Sequence, residues 1–136
     1  PPRHPPPTVL GAPSRGQDSG YVPYTAFSAK KSFIDENPEI IQGFTNALQK
    51  GMDYVQTHSP EEIAEVIEPQ FPETDLETIT TIVTRYYDQD TWKSKLIFEE
   101  SSFDLLQDIL ESAGELAMRA PYEDLVTTEF AARAAQ

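Results

Sequence analysis

YVPYTAFSAKKSFIDENPEIIQGFTNALQKGMDYVQTH, residues 21–58, decides how this chain is read. Tyr21, Val22, Tyr24, Thr25 and Phe27 alternate aromatic and β-branched side chains with small ones, the pattern of a short strand over 21–29. Pro23 lacks a backbone donor, so such a strand lies at an edge or begins after it. Beyond Lys30 the period changes. Ser32 to Glu36 reads as a short helical turn that places Phe33 and Ile34 inward. Asn37-Pro38-Glu39 is then a strong helix start: an N-cap residue, proline at the first helical position, and an acid at the positive dipole end. Ile40/Ile41, Phe44, Ala47/Leu48, Gly51/Met52 and Val55 follow as one apolar stripe at helical spacing. One strand without a partner in 136 residues is expected to belong to a larger α/β protein whose sheet is encoded upstream. Alone, it is expected to pair with another copy or to stay poorly ordered, because it exposes a ladder edge.

Composition narrows the classes. The chain has no cysteine, which excludes a disulfide framework, a thiolate zinc site and a cysteine nucleophile. Mean hydropathy is -0.48, and no apolar run approaches the roughly 20 residues that span a bilayer. The opening PPRHPPPT has neither the basic nor the apolar region of a signal peptide, so for an exported protein the start is expected to lie further upstream. Net charge is -13 and uneven: residues 1–31 carry +3, while residues 32–136 hold 6 basic and 22 acidic side chains, a net of -16. Such a body repels phosphate backbones, so nucleic acid is not an expected partner.

Outward from the opening stretch, residues 1–20 form a Pro/Gly-rich linker or disordered end, with six of the 12 prolines in the first 13 positions. Residues 21–136 form the helical body. Ser59-Pro60-Glu61-Glu62 is a capping box that opens a helix carrying Ile63, Ala64 and Ile67 and ending before Pro69. Thr74-Asp75-Leu76-Glu77 reads as a second box, ahead of Leu76, Ile79, Val83, Tyr86 and Tyr87. Asp88 to Lys95 is a polar break holding the only tryptophan, Trp92. Ser101 or Ser102 caps a helix with Phe103, Leu106, Ile109/Leu110 and Ala113 on one face, and Gly114 stops it. Residues 121–127 form a turn and a short terminal helix follows. The expected fold is mainly α, five or six helices with one short strand.

Chemistry is sparse. No phosphate-binding, zinc-protease or serine-hydrolase motif is present. Glu61, Glu62 and Glu65 and the pair Glu99/Glu100 read as helix-capping acids, because nothing in their surroundings shifts a carboxylate into the catalytic range. Asp88-Gln89-Asp90 lacks the glycine and terminal glutamate of a calcium loop. His58 sits near a helix C-terminus, where a positive charge is favoured, and His4 lies in the proline-rich end. No metal, cofactor or catalytic residue is expected. Tyr21, Tyr24, Tyr86, Tyr87 and Trp92 combine apolar rings with polar tips, as ligand clamps do. Trp92 and Tyr24, in polar or strand-end surroundings, are the leading candidates.

The order of these pieces resembles the C-terminal part of substrate-binding proteins of ABC importers, in the alkanesulfonate, taurine, nitrate and thiamine-pyrimidine group. The resemblance rests on Phe33, Ile34, Asn37, Pro38 and Glu39, then His58, Pro60, Glu61, Glu62 and Ala64. Trp92 and the closing Asp124, Leu125, Val126, Phe130 and Ala131 extend it over roughly residues 20–134. It implies the C-terminal part of a type II periplasmic-binding-protein α/β fold, with residues 21–136 covering the first lobe. It implies no enzymatic activity, a small-molecule solute, an ABC permease as membrane partner, and an extracytoplasmic location, in the periplasm or as a lipoprotein at the outer face of the cell membrane. Ser19, Gly20, Tyr21 and Tyr24 would stand near the ligand cleft, joined by Trp92 from the aromatic reading. The departure is PPRHPPP, which does not resemble the family. Two other classes fit the residues: a free-standing acidic helical interaction domain that docks through the proline-rich end, and an enzyme on the binding-protein fold in the manner of pyrimidine-precursor synthesis. The second needs a catalytic histidine or cysteine, and neither His4 nor His58 is well placed.

Overall fold

The computed structural model describes residues 20, 22–23, 25–92 and 96–136. Among them the chain runs α1 (Lys31–Glu36), α2 (Pro38–Thr57), α3 (Pro60–Ile67), a 3-10 turn (Glu68–Gln70), α4 (Leu76–Asp88), α5 (Glu100–Ser112), α6 (Tyr122–Leu125) and α7 (Glu129–Ala134). The reading of residues 1–19 lies outside the described residues. No helix among the described residues is long and apolar enough to cross a membrane.

The mainly α expectation holds, and the described residues of 21–29 form no strand. Val22, Pro23 and Thr25 to Lys30 are irregular, and the described residues contain no strand. The backbone of Lys30 is extended, with ψ 140°. A strand is stabilised by the ladder it shares, and without a second strand the extended conformation has nothing to bond.

Local chemistry sets the helix ends. At α3, Ser59 Oγ accepts from the Glu62 N–H at 3.3 Å and Glu62 Oε2 accepts from the Ser59 N–H at 2.9 Å, the reciprocal box the sequence announces. At α4 the cap is Asp75 rather than Thr74. Its carboxylate accepts from the Thr78 N–H and hydroxyl, both at 2.9 Å, and these bonds hold its carboxyl below the usual carboxylate range. At α2 Asn37 occupies the cap position, but its amide turns back to donate to the Phe33 carbonyl at 3.2 Å. At α5 the cap position is Glu99, without a side-chain bond, two or three residues ahead of the expected serines.

Two helices end in the same way. After α5, the Gly114 N–H bonds Glu111 O and the Glu115 N–H bonds Leu110 O, with Gly114 at φ 75°. After α4, the Asp90 N–H bonds Tyr87 O and the Thr91 N–H bonds Tyr86 O, with Asp90 at φ 51°. Both are Schellman closures, which need a left-handed residue just past the helix. Glycine meets that need without strain and aspartate does not. A Gly114→Ala substitution meets no neighbouring atom, so its cost is backbone strain alone, about 1–2 kcal/mol. The measurement is the urea midpoint at unchanged slope, and a neutral result would refute the strain assignment.

The core is small. Ile63 and Ala64 of α3 meet Ile79 and Val83 of α4, flanked by partly buried Tyr54, Val55, Ile67, Leu76 and Trp92. A second contact joins α7 to α2, with Phe130 and Ala131 buried. A third region surrounds α5. Phe98, Phe103 and Tyr122 form an edge-to-face cluster with centroids 5.6 to 6.5 Å apart, and the Tyr122 hydroxyl donates to the Phe98 carbonyl. There, buried Gln107 donates to Ala120 O at 3.2 Å and accepts from the Ala120 N–H at 2.8 Å, which pins the loop after α5 back onto it. Phe33, expected inward, is exposed.

Candidate functional site

The C-terminal ends of α2 and α4 converge on a shallow cleft of about 120 Å³, lined by Val55, Gln56, Tyr87, Asp90 and Trp92. The left-handed turn at Asp90 brings the chain back across the end of α4 and sets Trp92 against that helix. Gln56 Nε2 donates to the Trp92 carbonyl at 3.1 Å, a contact between residues 36 apart in sequence. The Trp92 ring lies 5.8 Å from that of Tyr86, tilted by 52°, and its inner edge packs on the α3–α4 core. Position is thus fixed from three sides.

The electrostatics follow from the same geometry. Two helix C-termini contribute partial negative charge. Aromatic faces are themselves electron-rich. The cleft therefore suits a hydrogen-bond donor or a cation better than an anion. Its volume is below the roughly 300 Å³ at which drug-sized ligands are enclosed, so it can form one wall of a site and not an enclosing pocket. Among the described residues, no group of three or more histidine, cysteine, aspartate or glutamate side chains could hold a metal ion.

Of the residues singled out from sequence, Trp92 lines this cleft. Gly20 stands elsewhere: it is exposed at φ 83°, and a Cβ on it would lie 3.3 Å from Leu105 of α5. Ser19, Tyr21 and Tyr24 lie outside the described residues. Tyr87 joins Trp92 in the lining, whereas Tyr86 supports it from behind. Sequence reasoning passed over Gln56 and weighed Asp90 only as part of a calcium loop, which it set aside. A left-handed aspartate leaves no mark in composition, and the part Gln56 plays depends on the Trp92 carbonyl, 36 residues away, coming within reach. His58 is occupied structurally: its ring stacks on Tyr54 at 3.6 Å and its Nδ1 lies 2.8 Å from the Tyr54 carbonyl.

Among the described residues, the other side of α2 is largely exposed. The apolar stripe read from sequence splits in two. Ile41, Leu48, Met52 and Val55 are half-buried, while Ile40, Phe44, Ala47 and Gly51 face outward. Phe27, itself exposed, packs edge-to-face on Phe44 with centroids 5.1 Å apart.

The chain is 37% identical over 118 residues to a curated protein of Bacillus subtilis (strain 168) named "Putative binding protein YtlA". The match takes in 87% of this chain and 35% of the relative, so the chain spans about a third of the length of the protein it matches. No family model matches the chain. No solved structure matches it either.

Proposed function

We propose that this chain is part of the solute-binding component of an ABC importer and acts without bond chemistry. In this reading it forms the C-terminal, helical part of a two-lobed α/β protein that closes on a small solute by a hinge motion and presents the closed form to a membrane permease. It works outside the cytoplasm, in the periplasm or anchored at the outer face of the cell membrane. The observation that carries the reading is the 37% identity to a protein named for binding, extending over 87% of this chain. The helix starts at Pro38 and Pro60, on which the family resemblance rests, support it.

Candidate solutes are alkanesulfonates, taurine, nitrate and pyrimidine precursors. The net charge of -16 over residues 32–136 favours an aminopyrimidine over the anions. A thermal-shift screen of the full-length polypeptide that carries this chain, against all four classes, tests the reading. A solute at a hundredfold its dissociation constant stabilises by about 2.7 kcal/mol. In a protein of the relative's length, melting should then rise by roughly 4 °C. A flat response to every class would favour the acidic interaction domain, a reading supported by the exposed Ile40 and Phe44.

A further inference from the structure

We infer that the groove between the 3-10 turn and α4 docks an apolar side chain carried by a basic protein segment. The surface is defined by residues of this chain alone and goes beyond the importer reading, which assigns nothing to it.

The groove holds about 110 Å³ and is lined by Ile67, Phe71, Thr74, Ile79, Ile82 and Val83. Its floor belongs to the core, because Ile79 and Val83 are buried. Its walls do not: Phe71 is 49% exposed and Ile82 47%. Phe71 is fixed by its backbone. It lies between Pro69 and Pro72, its N–H bonds Glu68 O at 2.9 Å, and its carbonyl accepts from the Thr74 N–H at 3.0 Å. The turn that carries it follows directly on α3, and the Asp75 cap closes the connection into α4. A phenyl ring held in the open by a stiff turn, beside a groove already formed, is pre-organised for a partner, because little conformational freedom remains to be lost on binding.

Size and charge choose the occupant. The volume accepts one branched or aromatic side chain and falls well short of the roughly 300 Å³ of small-ligand sites. Thr74 alone among the lining residues is polar, too little to orient a free solute. The occupant is therefore one anchoring side chain of a larger partner, as at interface hot spots. Around the groove, residues 59–88 carry eight acidic side chains and one basic, a net of -7, and all nine are exposed. Glu68 opens the 3-10 turn, Glu73 follows Phe71, and Glu77 lies in the first turn of α4; the one cation, Arg85, stands a turn beyond Ile82. Among the described residues the ion pairs belong to Arg119 and Arg133, so none of these eight acids is paired there. A basic segment is drawn in by this field. A second copy of the chain, an anionic membrane or a nucleic acid is repelled by it.

The test titrates a fluorescein-labelled helical peptide of leucine and lysine with the full-length polypeptide that carries this chain, read by anisotropy. The peptide should bind, and more weakly as salt rises. The same peptide with serine for every leucine, or glutamate for every lysine, should bind about tenfold or more weakly. Phe71→Glu and Ile82→Glu separate docking from bulk attraction. Each adds a negative charge, so a peptide held by charge alone would bind more tightly, whereas loss of a groove wall should weaken it about tenfold. Both positions are exposed, so neither change should move the urea midpoint. Should one do so, Glu68→Gln/Glu73→Gln keeps the test open: at exposed sites outside the packing, it should weaken the peptide about threefold and flatten the salt dependence. Phe44→Glu, at an exposed site on α2, should not weaken binding. A leucine–lysine peptide that fails to bind would overturn the inference, as would equal binding of the serine peptide or tighter binding by the two glutamate variants. Light scattering that finds the protein dimeric, and monomeric as Phe71→Glu, would give the groove to a second copy instead. Binding to the 136-residue chain but not to the full-length polypeptide would give it to the rest of that polypeptide.

Discussion

Ile63→Ala or Ile79→Ala should each cost about 2–5 kcal/mol of stability, read as a fall in urea midpoint at unchanged slope. Both side chains are 4% exposed and face one another across α3 and α4, with Ala64 at 0% between them. Deleting three carbons there loses their transfer free energy and leaves a cavity. The partly buried neighbours Tyr54, Ile67 and Leu76 can relax into it, so the lower half of the range is expected. Against a total stability of roughly 5–15 kcal/mol, even that loss is a large share. Ile82→Ala provides the contrast. It removes the same atoms from the same helix, but Ile82 is 47% exposed, and the cost should stay below about 1 kcal/mol. The double variant Ile63→Ala/Ile79→Ala should depart from additivity, because the two cavities merge. Since Trp92 packs on this cluster and is the only tryptophan, Ile79→Ala should also shift its fluorescence, tying the core to the cleft. A cost below about 1 kcal/mol for either single variant would mean that the α3–α4 contact is not the core.

How much of this was legible follows the range of the interactions. Helix starts at Pro38 and Pro60 are local events, written within four residues, and they appear where the sequence puts them. The cap of α4 is displaced by one residue, because Thr74 and Asp75 both offer a side-chain oxygen and only the backbone geometry chooses. The stripe of α2 was legible as apolar but not as to which side is buried. Ile40 and Ile41 are equally apolar, and the choice between them is made by α7, which lies nearly ninety residues away. Likewise Gln107 reads as an ordinary polar residue until the loop at Ala120 returns to meet it. The strand over 21–29 was misread for the complementary reason. Alternation records what a segment can pair with, and the described residues contain nothing to pair with it. In the cleft, Trp92 had been singled out from its polar surroundings, whereas Gln56 is placed by its bond to the distant Trp92 carbonyl and Asp90 by a left-handed turn, neither of which a pattern of side chains announces.

Phe130→Ala should release α7 from α2 while leaving the α3–α4 core intact. A six-residue helix has no stability of its own, so α7 persists only through docking. That docking is concentrated in Phe130, which is 4% exposed. Its carbonyl accepts from Gln42 Nε2 at 3.0 Å, and the Arg133 guanidinium lies 5.2 Å over its ring. Arg133 also reaches Glu129 at 2.9 Å, but that pair is more than half exposed and adds little. Removing a buried phenyl ring costs about 3–5 kcal/mol where the site cannot collapse, more than the remaining contacts of a terminal helix can offset. The loss should therefore appear as local opening: the Ala132 amide, bonded to Thr128 O at 2.9 Å, should exchange about a hundredfold or more faster. The urea midpoint reported by Trp92 should move by less than about 0.5 kcal/mol, because Phe130 lies outside the cluster on which Trp92 packs. Gln42→Ala should weaken the docking by about 1–2 kcal/mol without releasing it, since the bond to the Phe130 carbonyl and a long, exposed one from Arg133 at 3.4 Å are lost while the ring stays buried. Were Phe130→Ala instead to lower the Trp92 midpoint by the full 3–5 kcal/mol, the two contact regions would form one cooperative unit.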